Sequence, residues 1–389
     1  MTVLSLFLAL LLQAQDFRSS VSRAGGPYHV YEVADSSRTP APDGYTPLYV
    51  SHFSRHGSRY LLEGHVTAAR DLLKGADLTE EGRRLRAAVD SVYALQKGNT
   101  AALTAVGAGQ HKGIGMRLAR ACPEVFASGR TVKAAASSKA RCRSSMEAFL
   151  SGLRSASPGF PVRTRSGLHL MLRYSCHGGE DRAARKSCQK YLEQKTSALD
   201  ASGFTARYFQ ASPAGAQEVM REIFLYAADV QDIGEGPDLF RFFTEEEIQA
   251  LYELENVRSY TENFGSGDFG IIRKQGARRV LREIVRDADR ALEKGDVAAD
   301  LRFGHDSGLG PVAALIGLVG SFPAEEAGER FLSWKDICMA SNLQLIFYRN
   351  GDGDVLVKIL YNETERLLPG LSGGPYYPWK ELRAYLLGI

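Results

Sequence analysis

The chain has 389 residues, of which 44% are apolar, 24% charged and 10% aromatic, a balance that excludes a wholly disordered, collagenous or coiled-coil protein and allows a sizeable core. With 48 basic against 45 acidic residues the net charge is +3, too even for a general nucleic-acid binder. Five cysteines at 122, 142, 176, 188 and 338 contain no CxxC and match no zinc pattern, so metal binding through thiolates is not expected.

The first residues, MTVLSLFLALLLQAQ, hold an apolar run from Val3 to Leu12 ending at a small-residue site near Ala14. That length suits a signal-peptide core and is too short to span a bilayer, so residues 1–14 are read as a signal for export, with a buried N-terminal helix as the alternative. No later stretch reaches the length of a membrane span. In an exported chain Cys176 and Cys188, which flank SCHGGEDRAARKSC, are the best candidates for a disulfide, and Cys338 is expected to be a buried thiol.

The first strand is YTPLYVSHFS at 45–54, followed by a charged turn, RHGSR. His52 on that strand is expected to be a hydrogen-bonded core residue. A helix starts at Thr79, because Leu85, Ala88, Val89, Val92 and Leu95 share one face. A second covers Gly115 to Ala121, and the glycine-rich VGAGQHKGIGMR before it reads as a turn with a helix start, since it fits neither GxGxxG nor a P-loop. TVKAAASS at 131–138 is a strand, followed by a helix from Arg141 to Leu153. Beyond residue 160 the chain turns charged and helical, and strands return in DLRFGHDSG, LQLIFYRN and DVLVKILYN, with a helix in PVAALIGLVG.

The expected fold class is therefore α/β, a mostly parallel sheet with helices on both faces and an inserted helical cap. The expected organisation is a core at 15–160, a cap at 161–297 and the rest of the core at 298–389. Ligands of such sheets sit beyond the carboxyl ends of the strands. That rule selects Arg55 to Arg59, Arg141, and His305 with Asp306. Three guanidiniums, two imidazoles and a carboxylate suit a phosphoryl group: arginine forks match phosphate oxygens, and a neutral imidazole can attack phosphorus. Asp306 is placed to protonate the leaving alcohol, which favours turnover below neutral pH.

RHGSR at 55–59 resembles the RHGxR signature of the histidine acid phosphatases, and HD at 305–306 resembles that family's second motif. A chance RHGxR in a chain this long has odds on the order of one in a thousand. SSKARCRSSMEAFLSGL is similar to the segment in which the family's third phosphate-binding arginine opens a helix. The resemblance implies a phosphoglycerate mutase-like core and a metal-independent phosphomonoesterase, with His56 as nucleophile, Asp306 as proton donor, and Arg55, Arg59, Arg141 and His305 binding phosphate. No cofactor is implied. RHGSRY and the ASSKARC strand look most like the branch of phytases and multiple inositol polyphosphate phosphatases, whereas HD in place of HAE departs from the second of these.

Between Pro161 and Lys195 there are eight Lys or Arg against three acids. Over the pocket this segment would favour a small polyphosphorylated ester, with Arg163, Arg165 and Arg173 as specificity candidates; as a solvated helical face it would not. Two other readings stay open: a broad acid phosphatase for sugar or nucleotide phosphates, and a noncatalytic exported protein that binds phosphate esters.

Overall fold

The computed structural model describes residues 20–33 and 38–389, so the expected signal at 1–14 lies outside the described residues. Eight strands are described: β1 (Thr46–Arg55), β2 (Thr131–Ser137), β3 (Val162–Gly167), β4 (Val297–Gly304), β5 (Asn342–Arg349), β6 (Val355–Tyr361), β7 (Thr364–Glu365) and β8 (Tyr376–Pro378). They form one sheet in the order β3-β2-β4-β1-β5-β6-β7, and β8 pairs with β6. The first four are mutually parallel, and the remainder run antiparallel. The central strand β4 is buried at every residue, which requires cover on both faces.

One face is covered by α2 (Ala105–Ala121) and α3 (Ala140–Ala156), which pack Ile114, Leu118, Phe149 and Leu153 against Val132, Ala134, Leu301 and Phe303. The other is covered by α4 (Leu168–Tyr174), α8 (Lys274–Lys294), α9 (Asp306–Leu315) and α10 (Trp379–Gly388). A further helical layer has its own core. It joins α1 (Glu80–Gln96), capped where the Gly82 amide donates to Thr79 Oγ1, to α6 (Ala216–Ile233) and α7 (Glu245–Ser259), with Phe204, Tyr208 and Phe240 between them. A further helix, α5 (Arg182–Ser197), packs Cys188 and Leu192 against Ile272.

Three expectations change. The cap is not one insertion at 161–297: residues 61–92 join its core, β3 belongs to the sheet, and α8 packs on the sheet. VGAGQHKGIGMR is helical throughout, because its glycines serve packing rather than turning. A Cβ on Gly107 would stand 2.2 Å from the Ser58 carbonyl oxygen, and one on Gly115 2.3 Å from that of Phe149. The helix gives up propensity to let backbones touch. Lastly, Cys176 and Cys188 are unbonded, like the other three cysteines. Cys176 lies in the core under α9 with Leu309, and Cys188 in a separate cluster, so closeness in sequence does not bring the thiols together. Cys338 is the expected buried thiol.

His52 is in the core, but neither ring nitrogen has a hydrogen-bond partner among the described residues. It packs on Phe149 and Phe303, as does His111. Burial holds the His52 pKa well below its ordinary value and pushes that of His111 down to about 3, against an upward pull from the Arg55 backbone. An unfolded histidine takes up its proton near pH ~6.5, so the unfolded chain binds more protons below that point. Stability conferred by the neutral rings is complete above about pH 6.5 and drains as pH falls towards 3. For His111 alone the loss by pH 4 is about 3 kcal/mol. His111→Leu is expected to flatten the fall of Tm between pH 7 and pH 4; an unchanged slope would show that the ring is not the acid-sensitive element.

Candidate active site

β1 delivers Arg55 at its carboxyl end, and the turn that follows is pinned on every side. The Arg55 amide donates to the Ser341 carbonyl, the His56 amide to that of Gly304 and the Ala340 amide to that of His56. Gly57 N donates to Ser145 Oγ and Ser58 N to Gln110 Oε1. A Cβ on Gly57 would meet the Gly107 carbonyl at 2.6 Å, so α2 closes directly on the turn. Four of the sequence-selected residues, Arg55, His56, Arg59 and His305, are buried.

The His56 ring lies 2.9 Å through Nδ1 from the Gly57 carbonyl oxygen. A carbonyl only accepts, so Nδ1 carries the proton and Nε2 keeps its lone pair. His305 stands edge-on to His56, ring centroids 5.7 Å apart. Its Nε2 is 2.9 Å from Ser137 Oγ, and Arg141 donates to its Nδ1 at 3.5 Å. Arg55 donates through one nitrogen to the carbonyls of Pro27 and Ile337, both at 2.5 Å, and pairs through the other with Asp306 at 3.2 Å. Arg59 packs against the Tyr28 ring at 5.4 Å and donates to the Tyr60 carbonyl. The Nε atoms of Arg55, Arg59 and Arg141 are buried without a hydrogen-bond partner among the described residues. Buried guanidiniums with donors to spare are suited to receiving an anion. Arg141 opens α3 and Asp306 opens α9, so two helix N-termini stand at the carboxyl ends of β2 and β4.

Electrostatics separate the two imidazoles from ordinary histidines. Burial, then Arg141 and Arg55, hold the His56 pKa well below its usual value, and burial with Arg141 pushes that of His305 down to about 4. Burial acts to raise the Asp306 carboxyl, but Arg55, His305, the Ser307 amide and Arg59 outweigh it and bring it to about 2. The expectation of a carboxylic acid poised at mild pH therefore changes: without a ligand Asp306 is the ionised partner of Arg55.

The cap contributes residues that sequence reasoning missed. Asp229 and Asp232 lie one turn apart on α6, fully buried. Ser58 Oγ donates to Asp232 Oδ1 at 2.5 Å, and Gln96 Nε2 donates to Asp229 Oδ2 at 2.6 Å. Burial raises both acids, Asp229 to about 7, and Asp229 raises Asp232 further. Both also act on Arg59, so the pair braces the RHGSR turn from the cap side. Two acids inside an apolar helix, AADVQDIG, were the available signal. Arg221 and Arg258, with His65, line a cleft of about 190 Å³ shared with Arg55, Arg59 and Asp306. Arg221 is held by Glu255 at 2.6 Å, and Arg258 by Glu255 at 3.7 Å and Glu262 at 3.8 Å.

Arg163, Arg165 and Arg173 are not brought to this cluster. The first two are on the edge strand β3, and Arg173 and Arg165 reach Glu283 at 2.5 and 3.8 Å on the face of the sheet covered by α8.

A parallel-strand core of this order under a helical cap, with both junction motifs at the strand ends, has the fold of the histidine acid phosphatases. No family model and no curated protein matches the sequence, so the likeness is carried by structure. The multiple inositol polyphosphate phosphatase of Bifidobacterium longum superposes with a TM-score of 0.72 at 19% identity, over 94% of this chain and 97% of that one. Its complex with inositol hexasulfate gives 0.73 at 20% identity, with the same coverage. The D. castellii phytase gives 0.71 at 16% identity over 95% of this chain and 85% of that one, and the Klebsiella sp ASR1 phytase 0.56 at 17% identity over 88% and 96%.

Proposed function

We propose that this chain is a phosphomonoesterase that works through a phosphohistidine on His56 and prefers inositol polyphosphates. The observation that carries the reading is the His56 contact with Gly57: with Nδ1–H given to that carbonyl, Nε2 keeps its lone pair on a ring acted on by Arg141, Arg55 and Arg59, three arginines with unused donors. In the first step Nε2 attacks phosphorus, the ester P–O bond breaks, and Asp306 protonates the departing alkoxide. In the second, the Asp306 carboxylate takes a proton from water, the oxygen of that water attacks phosphorus, the P–N bond breaks, and phosphate leaves. His56 and His305 stay neutral well into mild acid, so the nucleophile remains available there.

Asp306 must gain a proton to act, and the pairing with Arg55 opposes this. A bound phosphate dianion takes over as counterion of Arg55 and Arg59, which lifts the Asp306 pKa in the complex. Substrate thus makes its own proton donor, and turnover is expected to favour acidic pH.

The inositol polyphosphate preference is supported by the fold shared with enzymes of that name and by Arg221, Arg258 and His65 at the cleft. A broad acid phosphatase is the second reading. It is favoured by the small cleft and by Glu255 and Glu262, which already engage those arginines. Export is supported by the N-terminal apolar run; among the described residues no helix is long and apolar enough to cross a membrane.

Phosphate release from phytate and from p-nitrophenyl phosphate, followed from about pH 3 to pH 8 without added metal, separates the readings. A higher kcat/KM on phytate with an acidic optimum is the expected result. Activity on the aryl ester alone retires the polyphosphate preference and leaves the broad phosphatase.

A further inference from the structure

A second basic site lies away from the catalytic cluster, on the face of the sheet that α8 leaves open towards the β3 edge. It is a cavity of about 480 Å³, within the size range of small-molecule sites. The register explains its shape. Arg163, Lys133 and Asp300 stand side by side across β3, β2 and β4, and two residues along come Arg165, Ala135 and Arg302. Residues two apart share a face, so the small Ala135 forms a floor ringed by cations. Arg286 and Arg290, four apart on α8, supply the opposite wall.

The charges do not cancel. Six cations line the cavity against two carboxylates, Asp287 and Asp300. Asp287 is occupied by Arg302 at 2.7 Å and Arg286 at 2.9 Å, and Asp300 accepts from the Tyr49 hydroxyl at 3.0 Å. Glu283, beside the cavity, is shared by Arg302, Arg173 and, more distantly, Arg165. The side chains of Lys133, Arg163 and Arg290 form no hydrogen bond or close salt bridge among the described residues, although Lys133 still acts on the Asp300 carboxylate beside it. Like charges on neighbouring strands destabilise a sheet, yet Arg163 is the direct cross-strand neighbour of Lys133. An arrangement that costs stability and concentrates unpaired cations around a small-floored cavity is suited to an anion with several charges. The basic excess at 161–195 contributes here, through Arg163 and Arg165, rather than at the catalytic cleft.

We propose that this cavity is a second binding site, for a small anion bearing two or more phosphate groups, held by Lys133, Arg163, Arg165, Arg286 and Arg290. The site is distinct from the catalytic one: it shares no lining residue with the cleft of Arg55, Arg59 and Asp306, and Arg302 on β4 precedes His305, just beyond that strand, by three residues, about 10 Å of extended chain. The inference does not depend on His56 chemistry.

The test is calorimetric titration of the full-length protein with myo-inositol hexasulfate, which cannot be hydrolysed as a phosphate ester. Wild type is expected to show two binding events. Combining Lys133→Ala, Arg163→Ala and Arg290→Ala should weaken one event about tenfold or more while leaving p-nitrophenyl phosphate turnover within about twofold. Arg59→Ala should remove the other, so failure of the catalytic reading and failure of this one give different patterns. Ala135→Leu fills the floor and keeps every cation; loss of the same event is expected, whereas its persistence would overturn a pocket in favour of diffuse charge attraction. Inorganic phosphate should bind there about tenfold or more weaker than hexasulfate, since it engages fewer cations. A single event untouched by the triple variant would overturn the proposal. So would cosedimentation with phosphatidylglycerol vesicles, lost in that variant, without a hexasulfate event, because it would assign the cations to a lipid headgroup.

Discussion

His56→Ala is expected to lower kcat/KM for every phosphomonoester by about four orders of magnitude or more while leaving ligand binding within about tenfold. The asymmetry follows from the geometry. Arg55 is held by the Pro27 and Ile337 carbonyls, Arg59 by Tyr28 and the Tyr60 carbonyl, and Arg141 opens its own helix, so none of the three relies on the imidazole for its position. Removing the ring deletes the nucleophile and spares the anion cradle. Alkali-quenched wild type, mixed with radiolabelled substrate, should carry phosphate that survives base and is released by acid, the behaviour of a phosphoramidate. The variant should carry none. Residual turnover of a few percent would assign the attack to another group, and a wild type that binds esters without turnover would make the chain a phosphate-ester-binding protein.

What could be read from the sequence was local. RHGSR combines four chemically specific residues with the strand that positions them, and Arg141, His305 and Asp306 each follow a strand, so one topological rule brought them together before any coordinates. The cap residues lacked such a signal. Arg221 and Arg258 sit in acidic surroundings, EVMREIF and ENVRSYTENF, and reach the cleft only because α6 and α7 bring them to Arg55 and Arg59 at the carboxyl end of β1. β3 escaped notice for a physical reason: VRTRSG is an exposed edge strand, and edge strands carry charge to deter further pairing, which erases the apolar alternation by which strands are read. The glycines of α2 misled in the opposite direction, since sequence cannot tell a glycine that turns the chain from one that admits a neighbouring backbone. Charge density also misled: the basic excess after residue 160 could be set over the catalytic pocket or on a solvated face, and Arg163 and Arg165 lie on the exposed edge strand β3 instead of at the cluster.

Asp306→Asn is expected to divide substrates by their leaving groups. An alkoxide leaving an inositol or sugar phosphate needs a proton in the transition state, and losing a positioned general acid costs about 10²- to 10⁴-fold. The p-nitrophenolate ion is stable enough to leave unprotonated, so kcat/KM for that ester, which reports the first step and not the dephosphorylation common to both esters, should fall about tenfold or less. The variant also removes the negative charge that Arg55 has at 3.2 Å, but the guanidinium keeps its two carbonyl acceptors and stays in place. Collapse of the cradle is thereby separated from loss of the acid: collapse would lower kcat/KM for both esters alike, and loss of the acid lowers it chiefly for the alkyl ester. The pH profile adds an independent check. Wild-type kcat on an alkyl ester should fall as pH rises and the substrate-bound Asp306 loses its proton, while the variant, with nothing to ionise at that position, should lack this limb. Equal losses on both esters, with the limb retained, would move the donor role to another group at the cleft, of which Glu262, whose carboxyl burial raises, is the first to test.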